Sequence, residues 1–396
     1  MTTPSSTDRS GWSVFAIFLR LGLTSFGGPI AHLAYFREEF VSRRQWLSEQ
    51  GYADLVALCQ FLPGPASSQV GIAIGFHQAG YRGALAAWLG FTLPSALALI
   101  AFAIGISHYA DSLASGVFQG LKIVAVAVVA QAVWGMGKTL CPDTPRQSLM
   151  LVASVVVLLL PNTWTQVAVL LGAGVIGWLW FQPTPRQDNS VYLGSRRAGA
   201  TWLGLFFLLL IALPIAATLF PSSTLAVFDS FYRAGSLVFG GGHVVLPLLQ
   251  ADVMHNNWVD SDVFLAGYGA TQAVPGPLFT FSAFLGASMD AFSSPWLGGM
   301  LALIAIFIPS FLLILGALPF WESLRQQRPT QAALMGVNAA VVGVLLAALY
   351  DPVWTSAMHS AKDMALGLLA FSALMFWRIP PWGVVIACAV IGGVWL

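Results

Sequence analysis

The feature that most constrains the fold of this chain is an internal duplication. Its first half contains FLRLGLTSFGGP at 18–29, and its second half contains FYRAGSLVFGGG at 231–242. A second motif follows in each half, QFLPGP at 60–65 and QAVPGP at 272–277. Matching positions of the two halves lie 212 or 213 residues apart. A near-constant offset over this length indicates two homologous halves, each interrupted at the same places by Gly and Pro.

The duplication extends further along the chain and divides it into four regions. A long apolar segment in each half carries a Pro-Ser pair, at Pro94–Ser95 and Pro309–Ser310. We expect an N-terminal repeat over 1–181, a basic cytoplasmic linker over 182–200, a connecting transmembrane helix over 201–220 and a C-terminal repeat over 221–396.

The composition places the chain in the membrane. Of its 396 residues, 57% are hydrophobic and 8% are charged, whereas a soluble domain carries about 25% charged residues. The three cysteines, Cys59, Cys141 and Cys388, are scattered, so neither a disulfide framework nor a thiolate metal site is indicated. We expect a multi-pass protein of the inner (plasma) membrane.

Apolar segments of about 20 residues, the length of a spanning helix, recur along the chain. Two shorter apolar runs, near 147–160 and 364–377, occupy equivalent places in the two halves and predict short or tilted spans. The long segments are 84–107, 113–137, 163–181, 201–220, 295–319, 331–350 and 380–396.

The duplicated motifs predict a different kind of segment. The arms 12–26, 29–43, 50–62 and 66–79 are each too short to cross a bilayer at about 1.5 Å per residue. We therefore expect re-entrant or broken helical hairpins, which a membrane tolerates only where they are buried in protein or line a cavity. Four spans per half and the connecting helix give nine spans.

Charge predicts that the two halves are inverted relative to each other. The loop after the first hairpin is basic and its counterpart is acidic, so the positive-inside rule places them on opposite sides of the membrane. These residues are Arg37, Arg43 and Arg44 in the first loop and Asp252, Asp260 and Asp262 in the second. The predicted fold is an all-α integral membrane protein with two homologous halves in inverted topology, each with broken hairpins and spanning helices.

Two arginines lie within apolar segments, where a charge is a functional candidate by default. Arg20 and Arg233 are equivalent positions, each six residues before a Phe-Gly-Gly break. We expect their guanidinium groups to converge on a tetrahedral dianion, which bidentate forks suit. The alternative is that each pairs with an acid such as Asp229 or Asp54 to hold its hairpin. Lys122 has no equivalent, and we expect it to snorkel to the membrane surface.

The Gly and Pro breaks are the other candidate site residues. Paired prolines can end one helix and begin another, and a helix start presents free N–H groups to an anion. Glutamines before each Pro-Gly-Pro turn and hydroxyls after it can add donors. The predicted substrate-binding set therefore comprises Arg20, Gly27, Gly28, Gln60, Pro63, Gly64, Pro65, Ser67, Ser68, Arg233, Gly240, Gly241, His243, Gln272, Pro275, Gly276, Pro277 and Thr280. Energy coupling has a weaker signal, in His32, His77 and His243 near the breaks.

The combination R-x-G-x-x-x-FGGP followed by Q-x-LPGP, repeated in a second half, resembles the chromate ion transporter family in its two-domain form. The second half departs from the motif because Gly242 and His243 stand where the first half has Pro29 and Ile30. The resemblance implies an inner-membrane secondary transporter that exports chromate and confers resistance to it.

Matching Gly/Pro-interrupted halves independently favour a secondary transporter with its site at the repeat interface. We expect transport of a tetrahedral oxyanion, with chromate efflux the leading interpretation. Uptake or exchange of sulfate or a related oxyanion and a passive anion channel remain alternatives. A membrane reductase would need redox ligands that the scattered cysteines and histidines do not offer. The expected partners are the oxyanion and the lipid bilayer, with a homo-oligomer open; we expect no enzyme activity, cofactor, metal or nucleic acid.

The inverted topology predicts that residues 36–50 and 250–262 face opposite sides of the membrane. Single cysteines at Ser42 and Ser261, in a background without the native cysteines, should react with an impermeant thiol reagent from opposite sides. Reaction of both from one side would contradict the inversion.

Overall fold

The structure, a computed structural model, describes residues 10–26, 28–109, 115–160, 163–182, 195–239, 244–321 and 327–395. These residues form α-helices with short 3₁₀ and π segments, and they contain no strand. The prediction of an all-α protein is confirmed.

Seven helices make up the first half. Four of them, α1 to α4, carry the duplicated motifs, and three apolar helices follow. The helices are α1 (Gly11–Thr24), α2 (Gly28–Arg37, continued as a π segment Glu38–Arg43), α3 (Glu49–Phe61), α4 (Ala66–Tyr109), α5 (Ser115–Leu140), α6 (Thr144–Leu159) and α7 (Thr163–Trp180).

The second half repeats this order after the connecting helix α8 (Arg196–Leu219). Its elements are α9 (Ser223–Leu237), α10 (Val245–His255), α11 (Ser261–Thr271), a 3₁₀ turn Leu278–Thr280 leading into α12 (Phe281–Ala287), α13 (Pro295–Ala317), α14 (Arg328–Ala348, continued as a π segment Leu349–Trp354), α15 (Ala361–Met375) and α16 (Pro381–Trp395).

Five of the described helices are long and apolar enough to cross a membrane, namely α4, α5, α8, α13 and α14. The predicted short spans are α6 and α15, with 16 and 15 residues. The connecting helix is peripheral, since only 11% of its apolar window is buried inside the protein. Its outer side chains therefore suit contact with lipid.

The duplicated arms are short helices, as predicted, with one exception. The arm 66–79 does not end; it runs through a kink at Ala79 and Gly80 into the following span to make the 44-residue α4. Gly80 has φ +59°, so glycine's freedom at positive φ lets the chain bend there. In the second half the equivalent arm, α12, is separated from α13 by residues 288–294.

The two halves are intertwined. Helix α5 of the first half packs on α16 and α15 of the second, and α14 of the second half packs on α7 and α6 of the first. The last two helices of each half therefore pack on a helix of the other half.

Glycines permit these exchanged contacts. Gly120 of α5 faces Gly392 of α16, and Gly336 of α14 faces Gly177 of α7. A Cβ atom on Gly120 would overlap the carbonyl group of Cys388 on α16. Small residues at such crossings let helix backbones approach closely within a membrane.

Replacing Gly120 with Ala should destabilise the protein by about 1–3 kcal/mol, because the added methyl overpacks the α5–α16 crossing. Gly135→Ala is the matched control on the same helix, since nothing lies within 4 Å of its Cβ position. The measurement is the apparent unfolding temperature in detergent. Equal temperatures for both variants would contradict close packing at Gly120.

Candidate functional site

The Pro-Gly-Pro turn of each half contacts the residue that precedes the Phe-Gly break of the other half. The backbone N–H of Gly64 donates to the carbonyl of Val238 at 2.6 Å, and the N–H of Gly276 donates to the carbonyl of Ser25 at 3.0 Å. Val238 and Ser25 each stand directly before a Phe-Gly sequence. We call this reciprocal arrangement of the two turns and two breaks the crossover.

Both turn glycines have backbone conformations that side chains disfavour. The φ angle is +118° at Gly64 and +98° at Gly276, a region that L-residues with a Cβ rarely adopt. The Pro-Ser pairs close the turns from the opposite half. Ser310 Oγ lies 3.0 Å from the Cβ position of Gly64, and the Ser95 hydroxyl donates to the carbonyl of Pro275.

The second proline of each turn was expected to begin a helix. In the structure each helical segment begins one residue after that proline, and only the first of the two segments is an α-helix. Pro65 precedes α4, and its carbonyl accepts from the N–H of Gln69 at 3.0 Å. Pro277 precedes the 3₁₀ turn, where its carbonyl accepts from the N–H of Thr280 at 3.0 Å and from the Thr280 hydroxyl at 2.7 Å. The second turn is therefore tighter, because Thr280 bonds back to the proline.

Five buried polar atoms lie on the crossover segments or on the helices next to them. These atoms have no hydrogen-bond partner among the described residues, and a buried donor left unpaired carries a desolvation cost of about 1–3 kcal/mol. They are Ser25 Oγ, Ser68 Oγ, Thr92 Oγ1, Gln272 Nε2 and Ser310 Oγ. Hydroxyl and amide groups of this kind can donate to the oxygens of an anion or to water.

A small cavity lies beside the crossover, between Gly28 at the start of α2 and Gln272 and Gly276 of the second half. Gly28 has φ +77°. The cavity volume is about 20 Å³, enough for one water molecule but too small for a tetrahedral oxyanion. As the described residues line it, this cavity is closed to such an ion.

His32 joins the first break to the first turn. It is buried, with Nε2 at 3.1 Å from the Ser25 carbonyl and Nδ1 at 3.4 Å from the Ser67 hydroxyl. His32 thus links Ser67, a predicted site residue, to Ser25 of the crossover.

The remaining predicted residues divide by position. The Pro63 carbonyl accepts from the Gln69 side chain at 2.7 Å, whereas Gln60 is exposed on α3. Gly27, Gly240, Gly241 and His243 lie outside the described residues.

The two membrane arginines have acidic partners within their own halves. Arg20 contacts Glu39 at 2.6 Å, and Arg233 contacts Asp252 at 2.9 Å and Asp229 at 3.5 Å. The pairing with Asp229 is the alternative that the sequence left open. Glu39 and Asp252 were missed, although they too are 213 residues apart.

The surroundings of the two pairs differ in charge. The Glu39 carboxylate, 4% exposed, also accepts from Arg43 at 3.0 Å and from Arg44 at 2.7 Å. Burial raises the pKa of Glu39, but the Arg44 hydrogen bond and the charges of Arg20, Arg44 and Arg43 outweigh it and hold that pKa below its usual value. The Glu39 carboxylate is therefore ionised and is the common acceptor of three guanidinium groups.

Arg233 lines a cavity of about 750 Å³ that also includes Asp252. Gln166 and Gln250, both more than nine-tenths buried, contribute to its wall. Arg20 is not part of this lining, so the expected convergence of the two guanidinium groups on one ion is not seen in this conformation.

Lys122 reaches an exposed carboxylate. Its ammonium group lies 3.0 Å from Asp262 of the second half, whose side chain is exposed. This pair joins α5 to α11 and adds a further contact between the halves.

The described residues contain no cluster of three or more His, Cys, Asp or Glu that could hold a metal ion.

Comparison with known proteins identifies the family. A family model described as chromate transporter matches residues 12–178 and again 225–393. The chain belongs to the chromate transporter family. Both matches correspond to the two halves that the duplication predicts.

Relatives of this chain match it along most of their length. A probable chromate transport protein of Synechococcus elongatus is 28% identical over 383 residues, which cover 95% of this chain and 93% of that protein. A chromate transport protein of Pseudomonas aeruginosa is 26% identical, over 91% and 85%. An uncharacterized transporter of Methanocaldococcus jannaschii is 27% identical, over 85% and 83%. No solved structure gives a significant match.

Replacing Gly276 with Ala should reduce chromate transport at least tenfold, because the methyl would overlap Ser95 Oγ and displace the Gly276 N–H from Ser25. Gly80→Ala is the matched control, since Gly80 also has positive φ but has nothing within 4 Å of its Cβ position. Initial rates in membrane vesicles, normalised to protein level, measure the effect. A similar loss in both variants would assign it to backbone strain alone and not to the crossover.

Proposed function

We propose that this member of the chromate transporter family is a secondary transporter that exports chromate across the inner membrane and thereby confers chromate resistance. The observation that carries the proposal is the crossover, where the duplicated turns and breaks of both halves meet with unpaired buried donors around them. The repeat interface is where transporters of this architecture bind their substrates.

The crossover supports a carrier mechanism. Its four backbone groups are paired with one another when it is closed, so no N–H of Gly64 or Gly276 is available to an anion. In the proposed cycle, the halves separate enough for an oxyanion to replace the Val238 and Ser25 carbonyls as acceptor. The hydroxyl groups of Ser68 and Ser310 then donate to the same ion. The closed form lies between the two open forms and prevents leakage.

The membrane potential can supply the driving force. Moving one charge through 100 mV is worth about 2.3 kcal/mol, so expelling a dianion from a negative cytoplasm releases about 4.6 kcal/mol. Efflux then requires no coupling cation, whereas uptake of the same dianion requires one.

Sulfate is a competitor under this proposal, because neutral hydroxyl and N–H donors recognise tetrahedral oxygen geometry and do not distinguish the central atom.

The repeat bounds 1–181 and 221–396, the linker 182–200 and a homo-oligomeric state stay predictions.

In everted membrane vesicles, chromate added outside should accumulate inside when respiration makes the interior positive. Collapse of the potential should reduce the initial rate severalfold, and a tenfold excess of sulfate should reduce it as well. Vesicles without the protein provide the control. Chromate flux that neither saturates nor responds to counter-ions would indicate a channel, and accumulation only with a cation gradient would indicate coupled transport.

A further inference from the structure

One buried side chain at the first Pro-Gly-Pro turn has an acceptor that its structural role does not use. Gln69, in the first turn of α4, is 0% exposed. Its side-chain Nε2 donates to the Pro63 carbonyl at 2.7 Å, and its backbone N–H donates to the Pro65 carbonyl at 3.0 Å. The other side-chain atom, Oε1, has no hydrogen-bond partner among the described residues. Gln69 therefore holds the turn with its two donors and leaves its acceptor unsatisfied.

The hydrogen bond to Pro63 fixes which end of the amide is the oxygen. The two ends of a glutamine amide are told apart by their partners, and only the nitrogen can donate to a carbonyl. The amide also lies against Gly64, because Nε2 is 2.7 Å from the Cβ position of that glycine. The unsatisfied amide therefore stands beside the residue whose N–H holds the ion in the proposed cycle.

An acceptor at this place selects among oxyanions. The unpaired hydroxyl groups of Ser68 and Ser310 can donate or accept, and Gln272 Nε2 can only donate, whereas an amide oxygen can only accept. A fully deprotonated oxyanion offers acceptors alone, so it leaves Gln69 Oε1 without a partner. An oxyanion that carries a proton on one oxygen can donate that O–H to Gln69 Oε1 and accept from the other groups.

The second turn shows that holding a turn does not require a glutamine. At the offset of 212 residues that relates the two turns, Thr280 corresponds to Ser68 and Phe281 corresponds to Gln69. The Thr280 hydroxyl donates to the Pro277 carbonyl at 2.7 Å and holds the second turn. A phenylalanine side chain has no acceptor to offer. The amide oxygen of Gln69 is therefore a feature of the first half alone at this position.

We propose that Gln69 is a specificity-determining residue that accepts a hydrogen bond from a protonated oxygen of the transported ion. The proposal rests on the proposed export function and specifies its substrate class as a tetrahedral oxyanion with an O–H group, which for chromium(VI) is hydrogen chromate. Hydrogen chromate carries one negative charge, so a negative cytoplasm still favours its exit.

The proposal ranks two competing ions that are matched in shape. Phosphate and sulfate are both tetrahedral, but near neutral pH phosphate keeps at least one O–H group and sulfate has none. A site that hydrogen-bonds a substrate hydroxyl rejects the analogue that lacks it, because a buried polar group of the protein is then left unpaired. Phosphate should therefore bind more tightly than sulfate.

The test is competition with chromate uptake by everted vesicles, near neutral pH and in a buffer free of phosphate and sulfate. In the parent protein the inhibition constant of phosphate should be about tenfold below that of sulfate or lower still. Gln69→Met keeps the length of the side chain but removes the amide, and the two constants should become equal. Loss of the hydrogen bond to Pro63 weakens the turn for both ions alike, so a merely structural role does not change their ratio.

Gln147→Met is the matched control. The Nε2 of Gln147 also donates to a backbone carbonyl six residues earlier, that of Cys141 at 3.2 Å, but it does so at the start of α6. This variant should keep the phosphate-to-sulfate ratio of the parent protein.

The outcomes separate this proposal from the export function. Equal inhibition by the two ions in the parent protein overturns the role of Gln69, and so does a ratio that Gln69→Met leaves unchanged; export of chromate stands in both cases. If the parent protein does not transport chromate, export fails, and equilibrium binding of radiolabelled phosphate and sulfate to the purified parent and variant decides the role of Gln69 by the same ratio. If Gln69→Met is not inserted, Gln69→Asn, which withdraws the oxygen by one methylene, replaces it with the same expected loss of preference.

Discussion

The reciprocal hydrogen bonds between Gly64 and Val238 and between Gly276 and Ser25 are the constraint on which the rest of the structure depends. A broken helix inside a bilayer exposes N–H and carbonyl groups that lipid cannot satisfy, at several kcal/mol each. Here the carbonyl of the residue that ends the helix before each break accepts from the turn of the other half. Two short hairpins that are unsuitable for a membrane separately therefore complement each other as a pair.

The ion pairs around the hairpins have a complementary role. Arg20 with Glu39 and Arg233 with Asp252 connect the first and second arms of each hairpin. The pairs occupy equivalent positions, but the neighbouring residues give them opposite net charge. The duplication therefore preserved a structural contact while its electrostatic surroundings diverged, which is how a nearly symmetric scaffold can have two unlike sides.

Much of this could be predicted from the sequence because Gly, Pro and charge act locally. Motif spacing predicted short broken helices. The apolar segments predicted the five long helices but also predicted long spans at 163–181 and 380–396, where the structure has the shorter helices α7 and α16. Asp229 was foreseen as a partner of Arg233, but Glu39 and Asp252 were not foreseen as partners, because a side chain's acceptor depends on how the two arms of a hairpin pack. The shared offset of Glu39 and Asp252 was the available signal. The continuity of α4 through Gly80 could not be predicted, since a glycine can either end a helix or bend it. The exchange of terminal helices leaves no local pattern at all.

That exchange has a consequence for how the protein is made. Helix α5 (Ser115–Leu140) leaves the ribosome well before its partner α16 (Pro381–Trp395). Until α16 has been synthesised, the Gly120 face of α5 lacks this partner, and until α11 has been synthesised, Lys122 lacks Asp262. The contacts of the first half are therefore completed only after α16 has been made, and a chain that stops before 381 leaves the Gly120 face of α5 without its partner.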